Sequence, residues 1–205
     1  GSYRPVRKLG QGGMGVVYAA EDTRAPGRIV ALKVVSWAGG REHDDPVRRF
    51  VREAKILEKL RHPNIVSFLE VGLHEDQTFF AMELLHGVPL SAFIGRPWPQ
   101  LLPLMIQVCY GMEYLSAQAV VHRDLSPDNI FVVEKSGRPL VKILDFGIAK
   151  DTAQQETLHN FTKTGILMGK PQYWSPEIIG MLGPGEKIDW RSDVYALGII
   201  FFRIL

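Results

Sequence analysis

An acid and an amide stand five residues apart in VVHRDLSPDN, residues 120–129: Asp124 and Asn129. A carboxylate can accept a proton or orient a hydroxyl, and an amide oxygen can ligate a hard cation. A further oxygen donor, Asp145, ends the apolar run VKILD and is followed by Phe146-Gly147. Alone, Asp-x-Gly reads as a turn. Taken with Asp124 and Asn129 it forms an oxygen set suited to Mg2+, which favours carboxylates, carbonyls and phosphates. Chemistry of this kind handles negative charge, yet Leu125 to Asn129 contains no lysine or arginine, so the cation must come from elsewhere.

Two other stretches bear on anion binding. In LGQGGMGVVY, Gly10, Gly12 and Gly15 let the backbone approach a phosphate and take φ values other residues avoid. A dinucleotide-binding turn would open a helix after such a motif, whereas VVYAAED continues as a strand, so that reading fails. Lys33, in VALK, is either a solvated charge on a strand face or a cation aimed at an anion. Glu53, twenty residues on, could pair with it from another element.

The elements that must position these residues follow from pattern. KLGQGGMGVVYAAED predicts two strands joined by a tight glycine turn, and RIVALKVVSW a third by its β-branched content. PVRRFVREAKILEKL has a helical period, with Val47, Phe50, Val51, Ala54, Leu57 and Leu60 on one face, and RHPN ends it. NIVSFLEVGLHEDQTFFAMELL predicts a hairpin turning at HEDQ. LLPLMIQVCYGMEYLSAQ is a long apolar helix, NIFVV and LVKIL are short strands, and DVYALGIIFFRIL reads as a buried helix. Residues 145–177 carry little periodicity and much Thr, Gly, Lys and Gln, a length of loop that points to function. A composition shift near His86 to Leu90 separates a small β-rich lobe from a larger helical one.

The chain has 205 residues, 46% hydrophobic and 22% charged, with net charge +2. That is a globular balance, and without a clustered basic face nucleic acid is not an expected partner. Cys109 is the single cysteine, expected as a buried helical thiol, in keeping with a reducing compartment. YALGIIFFRIL is shorter than the ~20 residues needed to span a bilayer.

GxGxxGxV, VALK, HRDLxxxN and DFG occur in this order, and SPE stands where A-P-E is expected. In these motifs the chain resembles protein kinases of the eukaryotic-like, bacterial Ser/Thr type over essentially its whole length. The resemblance implies an α+β bilobal fold: a β-rich N-lobe with one key helix over residues 1–85, and a mainly helical C-lobe from residue 86, of which 86–205 is a part. It implies ATP and Mg2+ as cofactors and Ser/Thr hydroxyls of proteins as substrates. Gly10, Gly12 and Gly15 would cover the ATP phosphates; Lys33 would hold the α- and β-phosphates and pair with Glu53. Asp124 would accept or orient the substrate hydroxyl, and Asn129 and Asp145 would bind Mg2+. Val17, Ala31 and Phe131 would sandwich the adenine, Met82 would be the gatekeeper, and the backbone of Glu83 and Leu85 would meet the adenine edge. Arg123 would meet a phosphate on Thr162 or Thr164, the regulatory candidates. His122, Phe146, Leu57 and Phe68 would form a stacked spine, and Asp193 would anchor the backbone at His122 and Arg123.

Two positions depart from the family pattern. The lysine usual two residues after the catalytic aspartate is Ser126, and the usual Gly-Thr before A-P-E is Gly169-Lys170. Lys170 is therefore expected to reach toward Asp124 and Ser126 and to supply the missing cation. The chain also stops at Leu205, where the family's large lobe continues, so Glu177 is expected without its usual arginine and the last helix with an exposed apolar face. The alternatives are a non-catalytic nucleotide-binding or scaffolding module, which the retained Lys33, Asp124, Asn129 and Asp145 argue against, and a small-molecule kinase, which the long loop and YWSPE argue against. A cytoplasmic location follows from the resemblance, with a sensor domain or dimer partner possible outside the chain.

Overall fold

The computed structural model describes residues 2–12, 15–35, 51, 54–74, 77–146, 170–179 and 188–205. The chain divides into two compact units: Gly1–Arg61 with Val66–Leu85, and His62–Ile65 with His86–Leu205.

The first unit is a five-stranded antiparallel sheet in the order β1-β2-β3-β5-β4. Its strands are β1 (Tyr3–Gly12), β2 (Gly15–Asp22), β3 (Ile29–Val35), β4 (Phe68–His74) and β5 (Gln77–Glu83). Register decides which side chains share a face, because side chains alternate along a strand. Val17 opposes Lys33, Ala19 opposes Ala31, and Ala31 opposes Met82. Those residues occupy one face. The alternate positions Ala20, Val30, Leu32 and Ala81 form a buried cluster on the other, with Tyr3, Val34, Leu69 and Phe79 packed against it. At the edge of that cluster Tyr3 donates to Glu70 Oε2 at 3.0 Å while Arg24 donates to Glu70 and Asp22. Burial, reinforced by the Glu70 carboxylate, pushes the Tyr3 phenol up to about 12.

The helix expected over the PVRRFVREAKILEKL stretch lies largely outside the described residues. Its described end is a 3₁₀ turn, Lys55–Lys59, with Leu57 buried. Leu60 is extended at φ −66°, ψ 128°, two residues ahead of the proline-restricted His62.

The second unit holds the three-stranded sheet β6-β7-β8 (Gly87–Pro89, Ile130–Lys135, Arg138–Ile143) and two helices, α1 (Trp98–Ala117) and α2 (Trp190–Ile204). Helix α1 buries Leu101, Leu104, Met105, Val108, Gly111, Met112 and Leu115, an i, i+3, i+4 stripe. Gly111 is the point of closest approach: a Cβ there would lie 2.7 Å from Ile143 Cδ1 and 3.4 Å from Asn64 Cβ. Asn64 ties the layers together, donating to Gln107 Oε1 at 3.1 Å and to the Val141 carbonyl at 3.0 Å.

Three expectations are corrected. Cys109 is exposed: although its surroundings are apolar, it sits one residue past Val108, a step of about 100° off the buried stripe. Helix α2, read as buried, buries one side only, through Ser192, Asp193, Ala196, Ile200 and Ile204, and Val194, Tyr195 and Phe202 make the exposed apolar face also expected of it. It also begins three residues earlier than Asp193, where Asp189 caps it by accepting from the Arg191 N–H at 2.9 Å. No helix among the described residues is long and apolar enough to cross a membrane.

Candidate active site

In the second unit the loop from Val120 to Asn129 is held from three directions. His122 has no exposed surface. The Asp124 N–H donates to its Nδ1 at 3.3 Å, so the proton sits on Nε2, which donates to the Leu144 carbonyl at 3.0 Å. The ring packs on Phe146, centroids 4.9 Å apart. That makes His122 a packed structural residue, and within this unit the His122–Phe146 stack is in place; Leu57 and Phe68 are buried in the first unit.

Asp193 supplies the second hold. Its Oδ2 accepts from the His122 N–H at 2.7 Å and its Oδ1 from the Arg123 N–H at 2.9 Å. Burial pushes this carboxyl up, against the pull of His122 and Arg123. The tether fixes Arg123 in the left-handed region, φ 63°, a conformation a non-glycine residue keeps only when its surroundings over-determine it.

The third hold is Asn129. Its Nδ2 donates to the Asp124 carbonyl at 2.8 Å, while its own carbonyl accepts from the Leu144 N–H at 3.0 Å. Through its side chain and its backbone carbonyl, one residue therefore ties the acid's backbone to Leu144, next to Asp145, itself left-handed at φ 60°. With Nδ2 committed to the loop, Oδ1 is the atom of Asn129 suited to a cation. Among the described residues no group of three or more His, Cys, Asp or Glu could hold a metal. An amide and a carboxylate fit Mg2+ shared with phosphates, an ion that takes few protein ligands.

Lys170 lies in the same unit, at the N-terminus of the 3₁₀ turn Pro171–Tyr173. Its Nζ donates to Ser126 Oγ at 3.1 Å and forms an ion pair with Asp128 Oδ2. The carboxylate it pairs with is thus Asp128, where Asp124 was expected alongside Ser126. Asp128 also accepts from Ser91 Oγ at 2.5 Å. Hydrogen bonds from Lys170 and then Ser91 hold its carboxyl below the usual carboxylate range. Asp128 and Ser91 were not singled out from the sequence. The available signal was an acid inside a loop judged short of a cation. Glu177 accepts from Ser192 Oγ at 2.5 Å.

The first unit carries the other group of candidates. Gly15 has φ +140°, and a Cβ there would overlap the Val34 carbonyl oxygen, whereas Gly10 and Gly12 have open space. Val17, Ala31, Lys33 and Met82 share the sheet face opposite the apolar cluster. Glu83 donates its N–H to the Ser67 carbonyl at 3.0 Å and accepts the Ser67 N–H on its side chain at 2.8 Å. Leu85 follows at the end of this unit, and Phe131 lies on β7 of the other. Glu53, Thr162 and Thr164 lie outside the described residues.

Against known families, residues 3–205 match the protein kinase domain. The chain belongs to the protein kinase domain family. Among curated relatives, this kinase domain is 41% identical to serine/threonine-protein kinase Pkn1 of Myxococcus xanthus, over 100% of the chain and 29% of that protein. It is 37% identical to the probable serine/threonine-protein kinase PknB of Lactococcus lactis, over 99% of the chain and 31% of that protein. The chain thus spans about a third of the curated relatives it matches. Among solved structures, the Mycobacterium tuberculosis PknI kinase domain aligns with a TM-score of 0.75 at 27% identity, covering 99% of this chain and 72% of that one. The kinase domain is of the bacterial serine/threonine type, with the β-sheet N-lobe and helical parts of that fold.

Proposed function

We propose that this kinase domain transfers the γ-phosphate of ATP to Ser or Thr hydroxyls of protein substrates, using Mg2+, and is regulated by phosphorylation at Thr162 or Thr164. The observation that carries the reading is the bond from Asn129 Nδ2 to the Asp124 carbonyl, which keeps an acid and an oxygen ligand on one rigid loop beside Asp145. Phosphoryl transfer asks the protein mainly to position groups and to neutralise charge. Asp124 orients the acceptor hydroxyl and takes its proton. Asn129 Oδ1 and Asp145 hold the metal, which when bound supplies positive charge to the phosphate oxygens. Lys33, paired with Glu53, holds the α- and β-phosphates; Gly10, Gly12 and Gly15 let the backbone close over them.

For adenine, the first unit offers Val17, Ala31, Met82 and the backbone of Glu83 and Leu85, and the second unit offers Phe131. Arg123 receives the activating phosphate, whose charge of about −1.5 to −2 orders a loop against arginine. Lys170, resting on Ser126, takes the place of the lysine that the loop itself lacks. On this reading the domain works in the cytoplasm, by itself or as the cytoplasmic domain of a larger protein.

The test is phosphotransfer from Mg-ATP by the intact protein, with phosphoamino-acid identification of the product. Phosphoserine or phosphothreonine that disappears in Asp124→Ala is expected. No transfer, or transfer unaffected by Asp124→Ala, overturns the reading.

A further inference from the structure

A lysine ammonium is a point charge on a flexible stem. To act on a developing phosphoryl charge it must be held in place beforehand, since preorganisation is what such a group contributes. Lys170 enters from a different segment than Asp124, Asn129 and Ser126, so nothing in the covalent chain fixes its distance from them. The contacts do. Ser126, fully buried, offers Oγ at 3.1 Å. Asp128 offers Oδ2 and is itself clamped through Oδ1 by Ser91 Oγ at 2.5 Å. Asp128 belongs to the 3₁₀ turn Pro127–Asn129, so the carboxylate that grips the ammonium is one residue from Asn129.

From this geometry we infer that Asp128, braced by Ser91, is a positioning residue that fixes the Lys170 ammonium relative to Asn129 and Asp124. Two of the three N–H groups of Lys170 go to Ser126 and Asp128, leaving the third for a phosphoryl oxygen. The inference rests on the reading of Lys170 as the substitute cation. The Asp128 side chain is 53% exposed and that of Lys170 34% exposed. An ion pair this open adds little to stability, so its removal registers in catalysis and not in folding.

The experiment is steady-state kinetics of the intact protein with Mg-ATP and dephosphorylated casein as phosphoacceptor. Thermal unfolding of each variant is measured in parallel. Lys170→Ala is expected to lower kcat by about 10²-fold or more, as loss of one charge-stabilising donor does. Asp128→Asn is expected to lower kcat by about tenfold through misplacement of that donor, with KM for ATP and the unfolding midpoint nearly unchanged. Asp128→Glu recovers part of the loss, and Ser91→Ala gives a smaller loss of the same kind. In a Lys170→Ala background Asp128→Asn has no further effect, the signature of two residues acting as one unit. Wild-type kcat in Lys170→Ala removes the substitute-cation reading and this inference with it. A crippled Lys170→Ala beside an unimpaired Asp128→Asn removes the positioning role alone. So does an Asp128→Asn loss that persists in the Lys170→Ala background or appears only in KM.

Discussion

The backbone N–H of His122 ends on Oδ2 of Asp193, 2.7 Å away and seventy-one residues later in the chain. The loop that carries the acid is thereby pinned to helix α2, and the same carboxylate takes the Arg123 N–H. Asp193→Ala leaves both donors without an acceptor. A buried donor left unmade costs on the order of 1–3 kcal/mol, so chemical denaturation should show a loss in that range or above. Asp193→Asn retains an acceptor oxygen and should lose less.

Asp124→Ala separates chemistry from folding. Asn129 bonds to the Asp124 carbonyl and not to its side chain, so the loop keeps that tie when the carboxylate is gone. Phosphotransfer should fall by roughly 10²–10⁴-fold, the usual worth of a positioned base, while the unfolding free energy stays within about 0.5 kcal/mol of the parent.

Gly10, Gly12 and Gly15 should behave differently from one another. At Gly15 both φ and the Val34 carbonyl exclude a side chain. Gly15→Ala should destabilise the domain by about 1–3 kcal/mol, the cost of a sparsely populated backbone state. Gly10→Ala and Gly12→Ala meet open space; they should leave the thermal midpoint nearly unchanged and act instead on KM for ATP.

Acid sensitivity should appear at the start of helix α2. Hydrogen bonds from the Arg191 side chain, then its backbone N–H, hold the Asp189 carboxyl below its usual value of 3.8. A carboxyl depressed in the folded state stabilises it above the unfolded pKa, and that contribution is lost as pH falls through the folded pKa. Asp189→Asn cannot titrate there, so its unfolding midpoint should fall less steeply than the parent's as pH drops below 3.8. Equal slopes would exclude the linkage.

Much of this was legible because local pattern and tertiary role agree. The β4–β5 hairpin and helix α1 follow from alternation and from the helical period, and Asn129 and Asp145 flank the pair of short strands β7 and β8. Strand β6 was missed because Gly87–Pro89 is too short to show a period. The exposure of Cys109 was missed because composition, not phase, was read. Asp128 and Ser91 escaped for another reason. Their meeting depends on a 3₁₀ turn that aims one carboxylate at two segments, and no spacing in the sequence encodes that direction.

Gly111 works as an omitted shim. Helix α1 rests on Ile143 and Asn64 with no room for a methyl group, and Asp145 stands two residues beyond Ile143, on a strand end whose Ile143 N–H is fastened to the Asn64 carbonyl at 2.8 Å. A side chain at 111 would press first on the Ile143 Cδ1 atom, two residues before Asp145. The packing next to Asp145 therefore depends, in part, on the absence of a side chain on a helix thirty-four positions upstream.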